Sequence, residues 1–183
     1  MTFFLSLLVI AAIGCGSGDD QVAPESAKQG TTIISYGTIA EVSEYLHSVN
    51  PHIRTVGELQ LEVDKVVGTS GRATGQNLAA VMETVRPRLK TVLDEFEKIQ
   101  PPPLLAPLHR DIKNLMLVRL EAYGITIKGW QKEQNSNDMS LYKDAESKLA
   151  AANQMIEQLN NNLKEVNSEL QLARKNEGNI STE

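Results

Sequence analysis

The chain has 183 residues and a formal net charge of −5, and this length is enough for one domain with a sizeable core. An acidic surface repels nucleic-acid phosphates and anionic lipid headgroups, so the charge argues against both as electrostatic partners. Aromatic residues make up only 4% of the chain, which argues against a platform for stacking bases.

The N-terminal segment is a candidate export signal. An apolar run extends from Phe3 to Ile13, about half the roughly 20 residues that a helix needs to cross a bilayer. The run ends at the small residue Gly14, as is typical of a cleaved secretory signal. Cys15 follows and is the only cysteine, so it has no partner for an internal disulfide. We therefore predict a signal peptide over residues 1–14.

The stretch Ala12-Ile13-Gly14-Cys15 resembles the lipobox of bacterial lipoproteins. In that family the signal is cut before the cysteine, whose sulfur carries diacylglycerol and whose amine is often acylated too. The resemblance implies that Cys15 is the lipidation site, carrying palmitate-like acyl chains. It also implies attachment to the cell membrane or outer membrane on the extracytoplasmic side. Two or three chains suffice for such an anchor, since each buried methylene contributes about 0.8 kcal/mol.

A flexible tether is expected between the anchor and the folded domain. Residues 15–32 contain almost no large apolar side chain, and a random coil of this length has a mean reach of about 20–25 Å. Residues 176–183 also have nothing to bury, so we expect a disordered tail there. The folded domain is therefore predicted over residues 33–175.

Four segments of this domain repeat apolar residues every three or four positions. They run from about Ile33 to Val67, from Gly75 to Gln100, from Leu105 to Gln134, and from Tyr142 to Ala173. Each helix of this kind has one apolar stripe and needs partners to bury it. We predict an all-α fold, an antiparallel up-down-up-down four-helix bundle or a coiled-coil-like bundle of long helices. The stripe of the third segment is Leu105, Leu108, Ile112, Leu115, Ala122, Ile125 and Trp130, and that of the fourth includes Ile156, Leu159, Leu163 and Val166.

The breaks between the segments differ in chemistry. Gly68-Thr69-Ser70-Gly71 ends the first helix, because glycine suits the left-handed exit conformation. Pro101-Pro102-Pro103 ends the second helix and begins the third, and Asn135-Ser136-Asn137-Asp138 supplies caps for the fourth. Pro51 lies inside the first segment, where it either begins a new helix or kinks a continuous one. Because the apolar positions keep their phase across Pro51, we favour the kink.

Two histidines are the candidate metal or haem ligands. Counting from the turns places His47 and His109 at similar heights on the first and third segments, which lie diagonally opposite in this topology. Two facing imidazoles can bind haem axially or share a metal. Both residues follow an apolar stripe residue, however, so we expect them at the hydrated edge of the bundle. Glu44-x-x-His47 also lacks the second such pair of a di-iron bundle. We predict no metal site and no cofactor.

No feature indicates catalysis. The glycine-rich stretch from Gly68 to Gly75 lacks a preceding strand and the Gly-Lys-Ser/Thr of a phosphate loop, and no nucleophile–base pair is evident. We therefore predict that the chain is not an enzyme. The favoured hypothesis is a membrane-anchored lipoprotein with a helical interaction domain, an envelope adaptor or binding module. Its partner would be another envelope protein or a second copy of the chain, with no nucleic acid involved. The alternative is a carrier of a ligand, metal or haem in the bundle core.

Overall fold

The protein is an all-α four-helix bundle, which confirms the predicted fold class. The computed structural model describes residues 32–69 and 73–180. The helices are α1 (Ile39–Thr69), α2 (Gly75–Phe96), α3 (Ala106–Ser136) and α4 (Ser140–Ile180). A single 3₁₀ turn, Pro103–Leu105, precedes α3.

A two-stranded hairpin replaces the first turns that were expected for the first helix. Strand β1 (Ile33–Ile34) pairs antiparallel with β2 (Gly37–Thr38), and Gly37 at φ +131° takes a conformation that other residues rarely adopt. The prediction that the helix begins near Ile33 was therefore wrong by six residues. A capping box explains the true start: Glu41 accepts from the Thr38 amide at 2.9 Å, and Thr38 Oγ1 accepts from the Glu41 amide at 3.2 Å.

Side-chain contacts establish the antiparallel order of the helices. The start of α4 lies at the end of α3, where a β-carbon on Gly129 would lie 3.2 Å from the Tyr142 ring. The far part of α4 returns to the start of the domain, where Glu169 accepts from the Ser35 amide at 2.6 Å. Helix α3 packs extensively on both α2 and α4, whereas α1 packs mainly on α2 and approaches α4 over few residues. Among helices that are neighbours in the bundle, α1 and α4 therefore make the least extensive contact.

The break between α3 and α4 follows the predicted chemistry. At the break predicted after α1, Gly68 and Thr69 still belong to the helix, and Ser70 and Gly71 lie outside the described residues. Thr74 caps α2 by accepting from the Asn77 amide at 3.2 Å. Asn137 ends α3 in the left-handed conformation at φ 55°, and Asp138 accepts from the first amide of α4, Ser140, at 2.8 Å. Helix α1 is continuous through the exposed Pro51, so the proline does not divide it into two helices.

The described ends of α2 and α4 differ from the expected ends. Helix α2 stops at Phe96 rather than at Gln100, and the turns that follow it are closed by hydrogen bonds from the amides of Lys98 and Ile99 to the carbonyls of Glu95 and Phe96. Helix α4 continues to Ile180 and so includes residues 176–180, which were expected to belong to a disordered tail. Each residue added to an existing helix gains a backbone hydrogen bond without a new nucleation cost.

Candidate functional site

An open groove lies at the end of the bundle where α1 begins and α2 connects to α3. Its volume is about 460 Å³, within the range of small-molecule sites. One wall comes from the first turns of α1 and includes two exposed carboxylates, while the other is the proline-rich connection. The lining residues are Glu41, Glu44, Tyr45, Ser48, Ile99, Gln100, Pro101 and Pro102.

An aromatic cluster lies behind the groove. The Tyr45 hydroxyl is 3.3 Å from His109 Nδ1, and the His109 ring stacks on Phe96 with the ring centroids 4.3 Å apart and the planes 13° from parallel. His52 meets the same Phe96 edge-on, with the centroids 6.1 Å apart. Residues of α1, α2 and α3 thus form one cluster. Tyr45 belongs both to this cluster and to the lining of the groove.

The environment of His109 favours the neutral imidazole. Burial lowers the pKa of His109, and the positive charge of Lys113 lowers it further. Burial also raises the pKa of the Tyr45 hydroxyl well above its ordinary value. The pair is therefore uncharged at neutral pH, and its hydrogen bond joins α1 to α3 without an ion pair.

The two candidate histidine ligands do not face each other. His47 is exposed, whereas Tyr45, two residues earlier, is buried against His109. Two residues correspond to about 200° around an α-helix, so His47 lies on the side of α1 away from His109. Among the described residues, no group of three or more His, Cys, Asp or Glu side chains is placed to hold a metal.

A second polar cluster, inside the bundle, was not predicted. Arg119 is 1% exposed and its Nη1 donates to the Tyr123 hydroxyl at 3.3 Å. That hydroxyl donates to Gln60 Oε1 at 3.2 Å, and Gln60 Nε2 donates to Asp64 Oδ1 at 2.6 Å. The donors run in one direction, from the guanidinium of α3 to a carboxylate of α1. Burial raises the pKa of Asp64, although the hydrogen bond from Gln60 and the charge of Arg119 oppose this.

A sequence signal for Arg119 existed. The apolar stripe of α3 passes from Leu115 to Ala122, and the position between them in the three-four rhythm is Arg119. A charged residue at a core position of a bundle is rare and is normally paired when buried. Arg119 interrupts the apolar stripe of α3, and this interruption could have indicated a buried cation.

Cys15 lies outside the described residues, so its lipidation stays a prediction. In the part of the chain that the structure describes, no helix is both long enough and apolar enough to cross a membrane. No protein-family model matches the chain, and no curated protein or solved structure matches it either.

Proposed function

We propose that the protein is a lipid-anchored, extracytoplasmic binding module that holds a partner protein in the groove beside the proline-rich connection. The groove is the observation that carries the proposal, because it is open and combines apolar and acidic lining. Ile99, Pro101 and Pro102 supply apolar surface, and Glu41 and Glu44 supply negative charge. Such a surface suits an extended segment with apolar and basic side chains.

The position of the groove supports the proposed anchor. The described chain begins at Thr32, whose carbonyl accepts from the Ile39 amide at the start of α1. Glu41 and Glu44 of the groove belong to the first two turns of that helix. A tether over residues 15–32 would thus leave the bundle from the groove end, and its mean reach of about 20–25 Å would keep the groove close to the membrane surface.

Site-specific photo-crosslinking in the native envelope tests this proposal. A photoreactive amino acid replaces Ser48, which is half-buried in the groove, and the matched control replaces Thr84, which is exposed on α2. We expect a crosslinked product of one discrete mass in the membrane fraction from position 48 and none from position 84. Equal products from both positions, or none from position 48, would contradict a contact at the groove.

The same experiment in a Cys15→Ser background tests the anchor, because acylation requires the thiol. We expect this variant to leave the membrane fraction, to lose labelling by a fatty-acid analogue, and to give less of the crosslinked product. Membrane retention and labelling equal to those of the wild type would refute the lipoprotein assignment. The crosslink from position 48 would still test the contact at the groove.

A further inference from the structure

Arg119 carries hydrogen-bond donors that its surroundings do not use. It is 1% exposed, and its Nε and Nη2 have no acceptor among the residues that the structure describes. The guanidinium stays charged in proteins, and a buried donor without an acceptor is costly. The arrangement therefore points to a group other than the described side chains as the acceptor.

The two unused donors form the edge of the guanidinium that suits a two-oxygen anion. Nε–H and one Nη2–H point in the same direction and can donate together to both oxygens of a carboxylate or phosphate. The carboxylate of Asp64 does not fill this role, since it is reached through Tyr123 and Gln60 and its Oδ1 already accepts from Gln60. An anion at this edge would complete the hydrogen bonding of Arg119.

A small apolar slot lies between α1, α3 and α4. Leu115 and Met116, one turn before Arg119, line a cavity of about 20 Å³ between α1 and α4. The remaining surface of the slot is almost entirely apolar, with Ile53 and Val56 on α1 and Leu159 and Leu163 on α4.

The slot must widen to admit a ligand chain. A cavity of this size accepts about one water-sized group, so a longer ligand needs α1 and α4 to move apart. These two helices approach each other over few residues, whereas α3 is packed extensively on both α2 and α4. Separation of α1 from α4 therefore leaves the most extensive helix contacts intact.

We propose that the bundle binds an anionic amphiphile between α1 and α4. Its two-oxygen headgroup accepts from Nε and Nη2 of Arg119, and its single apolar chain occupies the slot beside Leu115 and Met116. A fatty carboxylate and a monoacyl phosphate share this chemistry. The binding requires neither the groove nor the lipid anchor, so it stands or falls independently of the proposed function.

Displacement of a fluorescent fatty acid from the purified full chain tests the proposal, with oleate and a monoacyl phosphate as the two competitors. Arg119→Met removes the charge, and Arg119→Lys keeps it but loses the two-donor edge. The control is Arg88→Met, which removes an exposed arginine that pairs with Glu62 at 2.7 Å. We expect saturable binding to the wild type and to Arg88→Met. We expect the affinity of both Arg119 variants to be lower by at least about tenfold. The stronger competitor identifies the headgroup.

Thermal unfolding with and without the probe separates binding from a purely structural role. Arg119→Met leaves Asp64 without its buried cation and should lower the melting temperature of the unliganded protein, but the probe should raise the melting temperature of the wild type and of Arg88→Met and not that of either Arg119 variant. If Arg119 instead serves only as the counter-ion of Asp64, the melting temperature falls in the same way, but the Arg119 variants bind the probe as the wild type does. That result overturns the proposal, as does the absence of saturable binding to the wild type. Arg119→Lys retains the charge and decides the binding question if Arg119→Met does not fold.

Discussion

His109 shows how one side chain joins three helices at the groove end of the bundle. Its ring stacks on Phe96 of α2, its Nδ1 faces the Tyr45 hydroxyl of α1, and its own position is in the first turn of α3. Burial favours the uncharged imidazole. Protonation adds a charge beside Lys113, in a place with no described carboxylate in hydrogen-bond contact with the ring.

The lowered pKa of His109 predicts a loss of stability in mild acid. The unfolded chain binds a proton at this residue near pH 6.5, as an ordinary histidine does, while the folded chain binds it only at lower pH. The unfolded state therefore holds more protons in this range, and the free energy of unfolding falls as the pH drops below about 6.5 toward the folded-state pKa. Urea unfolding at about pH 7.5 and about pH 5.5 measures this loss.

Substitution assigns that loss to the residue. We expect His109→Gln to show a smaller drop in unfolding free energy between the two pH values than the wild type. The control His47→Gln, at an exposed position, should keep the wild-type drop. A drop of wild-type size in His109→Gln would show that burial of His109 does not govern acid stability.

Small residues determine how the helices approach one another. Ala122 on α3 and Ala145 and Ala152 on α4 are almost completely buried. An alanine at the contact lets two helix axes come closer than larger side chains allow. Close approach of α4 to α3 is seen at Gly129, where an added β-carbon would lie 3.2 Å from the Tyr142 ring.

The apolar stripe of α4 can be tested by two neighbouring substitutions. Leu159 is 4% exposed and Asn161, two residues later, is exposed. Leu159→Asp places a charge in the apolar core and should lower the free energy of unfolding by about 3 kcal/mol or more. Asn161→Asp adds the same charge to the surface and should change it by no more than about 0.5 kcal/mol. Chemical denaturation measures both, and similar losses for the two variants would mean that the stripe is misplaced.

At the scale of the whole molecule, packing is uneven. Helix α3 is supported by α2 and α4, whereas α4 extends to Ile180, beyond Ala173, the last buried apolar residue of the described core. Backbone hydrogen bonds exchange slowly where they are covered by packed side chains and quickly where a helix end has few buried contacts.

Hydrogen exchange followed by mass spectrometry should therefore show a gradient along the chain. We expect the slowest exchange in the middle of α3, between Ile112 and Tyr123, and the fastest helical exchange in α4 after Ala173. Amides of α2 that face α3 provide an internal reference for strong protection. Protection after Ala173 equal to that of the middle of α3 would indicate a contact that covers the end of α4.

The sequence by itself determined the helix number, the helix order and most of the core. The three-four rhythm of apolar residues depends only on helical periodicity, so Val42, Leu89, Ile112 and Ile156 could be assigned to the interior before any contact was known, and all four are buried. The asparagine-rich break between α3 and α4 acts locally, so it could be recognised in the same way. The capping box of Thr38 and Glu41 was also local, but it was missed.

The tertiary structure alone decided which polar groups meet. Whether His109 faces His47 or Tyr45 depends on how α1 is rotated about its axis, and periodicity does not determine that rotation relative to another helix. Whether Arg119 is buried depends on the close approach of α3 to its neighbours. The limited contact between α1 and α4 likewise depends on how each of these helices packs against the other helices of the bundle. Each of these features arises from contacts between residues far apart in the chain. The local pattern placed Arg119 on the apolar stripe of α3, but it did not identify the groups that Arg119 meets.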